Sequence, residues 1–374
     1  MNPLGAICRP KRRSARRAGI SLLEVMISMF VVLVGLLGVA ATLTLGRYEN
    51  AQGSKFDRGA TIGRAMMREV KVRGVLNPSS WCDSSGGPLS GLATQPFVVI
   101  DPLGVGNGNI GTAGSSDTPS LGVRFPYFSP TQNGAIMPNA FDMQRLTLGP
   151  GLATANRIAL AEHMFRVSDD LLLNLPKDEL ATPTQLLSSS GGKRQFSGDY
   201  SWMVTLCPDA AIGTGNLVNV SVVVFYKRQL QVDPDMTVYV KLKVTDTTYT
   251  ATTYWPERVF GIDDAAARSV GVHTVRLVAL GAGFPLLIAE NVAATRPGGW
   301  VVVAGVYPTN RYFFRWYRVI NVSDFATGQS LITLAGPEWP RGMSSHRIIL
   351  VDNVVGVYEE SVRLEDITKP NPWN

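Results

Sequence analysis

The feature that most limits what this chain can become is an unbroken apolar run. From Val25 to Leu45 there are 21 residues, and only Ser28, Thr42 and Thr44 are polar. As a helix rising ~1.5 Å per residue the run would be about 31 Å long, close to the ~30 Å hydrocarbon core of a bilayer. A secretory signal is built differently: its apolar stretch is about 7–15 residues long, and small residues at a cleavage point follow it. Here the small residues Ala18 and Gly19 come before the run. A cut at that point would free a leader and leave the helix attached to the body. Arg9, Lys11, Arg12, Arg13, Arg16 and Arg17 lie just upstream with no acid among them. Such a cluster stays on the cytoplasmic side and sends the following body outward.

The formal charge of +6 over 374 residues invites a nucleic-acid reading, but its location argues against one. Without residues 1–19 the chain has 29 basic and 29 acidic residues. The basicity therefore belongs to a targeting segment, not to a binding face, and no nucleic-acid partner is expected. The cysteines divide the same way. Cys8 lies in the leader, and Cys82 and Cys207 lie beyond the apolar run. Two cysteines in an exported body are the number for one disulfide; the alternative is two buried thiols.

A helical pattern continues past the apolar run. Phe56, Ala60, Gly63, Met67 and Val70 recur at steps of three and four, an amphipathic stripe, with Lys55, Asp57, Arg58, Arg64, Arg68 and Lys71 on other faces. No proline occurs between Lys11 and Asn77, and Pro78 gives a stop. One helix from Ile20 to Leu76 would be roughly 85 Å long, with Gly46 and Gly53 as points where it could bend. Half of it is lipid-grade, and half is a packing stripe for a globular head.

Glu24 is the anomaly. At the start of a membrane helix a carboxylate can sit at headgroup depth and favour the helix dipole. The sharper reading is an ion pair in an apolar setting, and cleavage after Gly19 would create the cation, the α-amino group of Ile20. The basic leader, Gly19 and then ISLLEVMISMFVVLVGLLGVA resemble the class III signal of type IV prepilins and pseudopilins. SLLEV followed by VGLLGVA is most similar to the V-type minor pilins, and next to the I-type minor pseudopilins of type II secretion. The resemblance covers about residues 11–50. It implies cleavage between Gly19 and Ile20 by a prepilin peptidase, N-methylation of Ile20, and pairing of Glu24 with the N-terminus of a neighbouring subunit during assembly. Ile20 departs from the pattern, since major pilins have Phe or Met there.

The remainder reads as α+β overall: the long N-terminal helix, then a mainly antiparallel β head ending in a small β barrel or sandwich. Residues 1–19 are the leader, 20–76 the helix (20–45 the span), 77–260 a loop-rich pilin-like head, 261–369 a C-terminal β domain and 370–374 a tail. Within the head, LATANRIALAEHMF (152–165) suggests a short helix. Val218, Val220, Val222, Val224 and Tyr226 alternate like a half-buried strand. SWMVTL (201–206), a turn and LVNVSVVVFYKR resemble the hairpins of minor pilin heads. From residue 271 onward, five short strands separated by turn residues suggest the terminal β unit.

Catalytic signals are weak. GNGNIG (106–111) has the dinucleotide spacing, but TAGSSDTPS after it makes a poor helix. GGKR (191–194) lacks the other glycine of a phosphate loop. His163, His273 and His346 have no ligand spacing. The acid pairs Asp169–Asp170, Asp263–Asp264 and Glu359–Glu360 would point to different faces of a helix or strand, which suits solvated caps and turns better than general acid–base work. Trp300, Trp316 and Trp339 fit a β core better than an exposed glycan surface. The sequence therefore implies no enzyme, cofactor or metal. It favours a minor pilin or pseudopilin whose partners are a prepilin peptidase, other pilins or pseudopilins, the inner-membrane assembly platform and membrane lipid. The protein would sit once across the cytoplasmic (inner) membrane, N-terminus inside and head outside, and then in a pilus or pseudopilus. The alternative is a membrane-tethered envelope protein whose β head binds a ligand or glycan without joining a filament.

Overall fold

The computed structural model describes residues 22–83, 86–87, 98–106, 124–125, 131–132, 135–136, 143–167, 199–208, 217–228, 237–241, 249–253, 257–263, 268–269, 272–278, 296–306, 312–325, 329–338 and 344–364. The chain falls into two compact units, Met1–Ser54 and Lys55–Asn374.

The long helix α1 spans Leu22–Val72, 51 residues, and runs without interruption through Gly46 and Gly53. Its end has a local cause. Gly74 adopts φ 67°, the left-handed conformation that closes helices, and Val75 donates back to the Val70 carbonyl. Asn77 then caps a short turn that starts at Pro78.

In the unit Lys55–Asn374 the far part of α1 buries Gly59, Ile62, Gly63, Met67 and Val70. The stripe thus starts a turn later than the sequence pattern suggests, since Phe56 stays exposed. These residues pack on the first of two large sheets, together with Ala161 and Phe165 of the helix Thr154–Phe165. That sheet runs Trp81–Cys82, Met143–Leu148, Val98–Ile100, Tyr200–Pro208, Leu217–Tyr226 and Val354–Arg363, with Arg124–Phe125 also on Met143–Leu148. Tyr200–Pro208 and Leu217–Tyr226 form an antiparallel pair, as the hairpin pattern implies. Helix α2 (Pro102–Gly106) follows Val98–Ile100, and α3 (Thr154–Phe165) lies within the expected 152–165.

Both faces of this sheet are buried. Val218, Val220, Val222 and Val224 face the helices; Val223 and Phe225 face the second sheet, and Asn219 and Ser221 between the valines are buried as well. The alternation that suggested a half-exposed strand is therefore a fully buried one, because a second layer covers its polar side. That layer is the sheet Glu257–Asp263, Ser344–Val351, Trp300–Val306, Tyr312–Phe325, Gln329–Ala335, Val272–Val278 and Arg268–Ser269. Val302, Ala304, Phe314, Trp316, Ile349 and Val351 of this sheet meet Val99, Phe125, Met143, Met203, Val223 and Phe225 of the first. Its other face packs Val275, Val301, Val303, Tyr317, Val319, Ile332, Leu334, Ile348 and Leu350 together.

The last strand, Val354–Arg363, leaves the second sheet after a two-residue turn and pairs along its whole length with Leu217–Tyr226 of the first. This strand thus lies under the carboxyl part of α1, where Val355, Tyr358 and Glu360 meet Gly59, Gly63 and Lys71. Thr237–Lys241 pairs separately with Tyr249–Thr253.

Candidate functional site

Three places carry the polar chemistry of the described residues. The first is the start of α1. Glu24 stands in its first turn, and every apolar side chain from Leu22 to Leu37 that is large is exposed, Leu22 at 79% and Leu37 at 75%. All three polar side chains of the run turn back on their own helix. Ser28 donates to the Glu24 carbonyl (2.7 Å), Thr42 to Val39 (2.9 Å) and Thr44 to Ala41 (2.8 Å). A segment surrounded by lipid has to satisfy its polar groups internally, and this one does. The helix is long and apolar enough to cross a membrane. Among the described residues the Glu24 carboxylate has no cationic partner. The implied cleavage residues Gly19 and Ile20, the basic leader and Cys8 lie outside the described residues.

The second place is where α1 seats on the last strand. A Cβ on Gly63 would lie 2.0 Å from the Tyr358 ring, and one on Gly59 2.9 Å from Val355. Glycine at these two positions lets the helix backbone approach the strand more closely than any side chain would allow. Lys71 pairs with Glu360 across the same contact, while Ser221 donates to the adjacent Glu359 (3.1 Å). The neighbouring acids do point to opposite faces of their strand, and each has its own partner. Near the first turn of this segment, Lys55 lies 4.6 Å from the Tyr226 ring centroid and Arg58 lies 5.4 Å from that of Tyr200.

The third place is a buried ionic cluster between the sheets. Arg145, inside Met143–Leu148, pairs with Asp101 and with Glu257 (2.7 Å). Arg228 grips the same Asp101 carboxylate with both nitrogens, at 2.8 and 2.6 Å. The Gly104 amide donates to Asp101 (3.2 Å). Arg145 and Arg228 also lie over the rings of Phe125 and Phe225. Among the described residues two cations, Arg145 and Arg228, face two carboxylates, Asp101 and Glu257. Burial pushes the Asp101 carboxyl up, but the Arg228 and Arg145 charges outweigh it and hold the group at about 2. Asp101, Arg145 and Arg228 belong to the first sheet and its flanks, and Glu257 opens the second, so the cluster clasps the two layers. Sequence reasoning missed it because its members are scattered from residue 101 to residue 257. The readable signal was an arginine inside the otherwise buried strand MQRLTL.

Cys82 and Cys207 are not joined. The sheet order places Met143–Leu148 and Val98–Ile100 between their strands. Three strand spacings of ~4.8 Å separate them by roughly 14 Å, about twice the ~7 Å reach of a disulfide. Of the two readings open in the sequence, a disulfide or two buried thiols, the structure has the two buried thiols. Cys82 lies against the Thr147 carbonyl (3.6 Å), and burial pushes its thiol up against the opposing charge of Arg157.

The chemistry set aside on sequence grounds gains nothing here. Among the described residues no group of His, Cys, Asp and Glu is arranged to hold a metal ion. His163 is exposed on α3. In GNGNIG, Gly106 ends the five-residue α2, and residues 107–111 lie outside the described residues. Trp316 is buried and donates to Thr205 of the other sheet (3.1 Å), a core role; Trp300 is half-buried, and Trp339 lies outside the described residues.

No family model matches the sequence, and no curated protein matches it. Two solved structures share weak likeness, both of the carboxy-terminal domain of the turkey type 3 siadenovirus fibre. The virulent form has TM-score 0.16 and 10% identity, covering 42% of this chain and 86% of that one. The avirulent form complexed with 3-sialyllactose has TM-score 0.14 and 10% identity, covering 44% and 89%. At such TM-scores neither likeness carries an argument.

Proposed function

We propose that the protein is a minor subunit of a type IV pilus or of a type II secretion pseudopilus. The observation that carries this reading is the division of labour along α1. Its first half is bilayer-length, satisfies its own polar side chains and begins with a carboxylate that has no cationic partner among the described residues. Its second half is fitted by Gly59 and Gly63 to a β head. A simple tether needs neither the carboxylate nor a single helix continuing into the head.

In this reading a prepilin peptidase cuts between Gly19 and Ile20, Ile20 is methylated, and the body stays in the inner membrane with its head outside. The assembly platform then moves the helix from lipid into a filament of other pilins or pseudopilins. There the apolar helices exclude water, and an α-ammonium would be costly unless a carboxylate faced it. Glu24 supplies that carboxylate to a neighbour and so also sets register. The second sheet we read as a small barrel, since Glu257–Asp263 pairs with Ser344–Val351 on one side and Val272–Val278 on the other.

Two measurements test the reading. N-terminal sequencing of the native protein should begin at Ile20; a chain still carrying Arg16 and Arg17 would refute it. Glu24→Val should leave insertion and cleavage intact but deplete the subunit from sheared filaments relative to the membrane fraction. Equal incorporation would leave the tethered envelope protein as the better description.

A further inference from the structure

We infer that the last strand, Val354–Arg363, is a relay that couples the seating of α1 to the grip between the two sheets, so that a shift of the helix at Gly63 loosens the second sheet at Trp316. The coupling stands whether or not the protein joins a filament.

The strand touches its two neighbours with alternate residues. Val355, Tyr358 and Glu360 meet α1 at Gly59, Gly63 and Lys71. Val357 packs in one cluster with Phe314 and Trp316 of the second sheet, and Glu359 turns the same way. Successive side chains of a strand point to opposite faces, so a displacement of Tyr358 carries Glu359 with it on the other face. A bulge between Val354 and Gly356 sets this phase.

On the helix side the contact leaves no slack. The Tyr358 ring lies between two glycines: a Cβ on Gly63 would come within 2.0 Å of it, and one on Gly356 within 2.9 Å. Interiors packed this closely transmit a displacement rather than absorb it.

On the other side Glu359 gathers donors from both sheets. From the first, Ser221 Oγ donates to it at 3.1 Å, and the Asn219 side-chain amide donates as well. From the second, the backbone amide of Trp316 donates and Arg315 supplies the opposite charge. Arg315 also donates to the Asn219 carbonyl from Nε (3.3 Å) and Nη1 (2.8 Å), with the amide oriented as these partners require. The Trp316 amide faces Glu359 because amides alternate in direction along a strand. Val319 donates to Gly299, on the side of Trp300–Val306, so the Trp316 amide points to the opposite edge. Among the described residues Gln329–Ala335 covers that edge only from Arg318 onward, and the Glu359 carboxylate serves Trp316 in place of a strand.

Amide hydrogen exchange of the full chain in detergent micelles tests the relay. It is read at Trp316 and at Val204, a buried ladder residue two strands away from Val354–Arg363. In Gly63→Ala the new methyl displaces Tyr358, and Trp316 should exchange about fivefold faster relative to Val204, the low end of coupling between sites. Linkage makes the effect reciprocal, so Glu359→Ala should speed exchange at Met67 of α1 by a similar factor relative to Val204. If Gly63→Ala fails to fold, Gly59→Ala takes its place. Its Cβ would press Val355 at 2.9 Å, and Trp316 should move in the same direction. A Trp316-to-Val204 ratio unchanged in the helix variant would overturn the inference, because a uniform rise reports global unfolding alone. So would a Met67-to-Val204 ratio that Glu359→Ala leaves unchanged.

Discussion

The two halves of α1 are one helix with two different surfaces, one long and apolar enough to cross a membrane and one fitted to a β head. From Val25 to Leu45 its large apolar side chains are exposed, and among the described residues a Cβ on Gly35 or Gly38 would meet nothing within 4 Å. From Gly59 to Val70 one face is buried, and a Cβ on Gly63 would enter a tyrosine ring. Composition alone does not separate the glycines: both pairs sit in helix, three or four residues apart. What differs is the neighbour. In the first half glycine is merely permitted, whereas in the second it is required by the close approach of a strand.

The largest expected effect breaks that comparison directly. Gly63→Leu should destabilise the head by about 3 kcal/mol or more, since the side chain has to displace Tyr358 from a packed core. Gly38→Leu should leave head stability within about 0.5 kcal/mol, because it touches nothing there. Urea unfolding of the two variants, followed by tryptophan fluorescence, measures both. Equal midpoints would mean the helix is not seated as described.

Charge placement sharpens the contrast. Leu33→Arg puts a cation in the middle of the apolar half and should oppose insertion by about 2.5–3.5 kcal/mol, read as loss from the carbonate-resistant membrane fraction. In the head, charge is tolerated only in balanced form. Arg145→Ala removes one cation and leaves Asp101 and Glu257 buried against Arg228, an expected cost of about 3–5 kcal/mol in the same unfolding measurement.

Much of this was legible in the sequence and some was not, for physical reasons. The apolar run, its length and the stop near Pro78 follow from local rules, so α1 could be placed to within a few residues. Glu24 stood out because a charge in such a run is expensive. The seat on Tyr358 could not be read, because residues 63 and 358 are brought together only by the tertiary fold. The same holds for the return of Val354–Arg363 to the first sheet, across the boundary expected at residue 261. That boundary instead meets a strand, Glu257–Asp263. The valine alternation was visible, but its burial on both faces depends on a second layer that periodicity does not report. Two cysteines suggested a bridge, and strand order, which sequence does not reveal, keeps them apart.

Two carboxyls, the buried Asp101 and the half-buried Asp352, make the pH dependence of the head run in opposite directions. Asp101 is held at about 2, below its usual 3.8, so its contribution is present above pH 3.8 and is lost as pH falls through about 2; that is worth about 2 kcal/mol. Asp352, in the turn that carries the chain between the sheets, is pushed by burial to about 7. Its folded form prefers the proton, so stability should rise as pH falls from about 7 towards 4. Chemical unfolding across pH 2–8 should show both limbs. Asp352→Asn should flatten the upper limb and leave the lower one, and an unchanged upper limb would remove Asp352 from the account.

The smallest effect tests how much of the seat is electrostatic. Lys71 and Glu360 join the helix to the last strand, yet both side chains are more than a third exposed, at 41% and 46%. An exposed pair gains little Coulomb energy in water, loses side-chain entropy and is screened by salt, so pairs of this kind contribute about 0–1 kcal/mol. Lys71→Ala should therefore shift the unfolding midpoint by no more than about 0.5 kcal/mol, and that shift should disappear in 0.5 M salt. Gly63→Leu should keep its full penalty at the same salt, because it acts through packing. If instead Lys71→Ala cost as much as Gly63→Leu, the helix would be held to the head by charge. Glycine at 63 would then be incidental, and the distinction between the two halves of α1 would rest on burial alone.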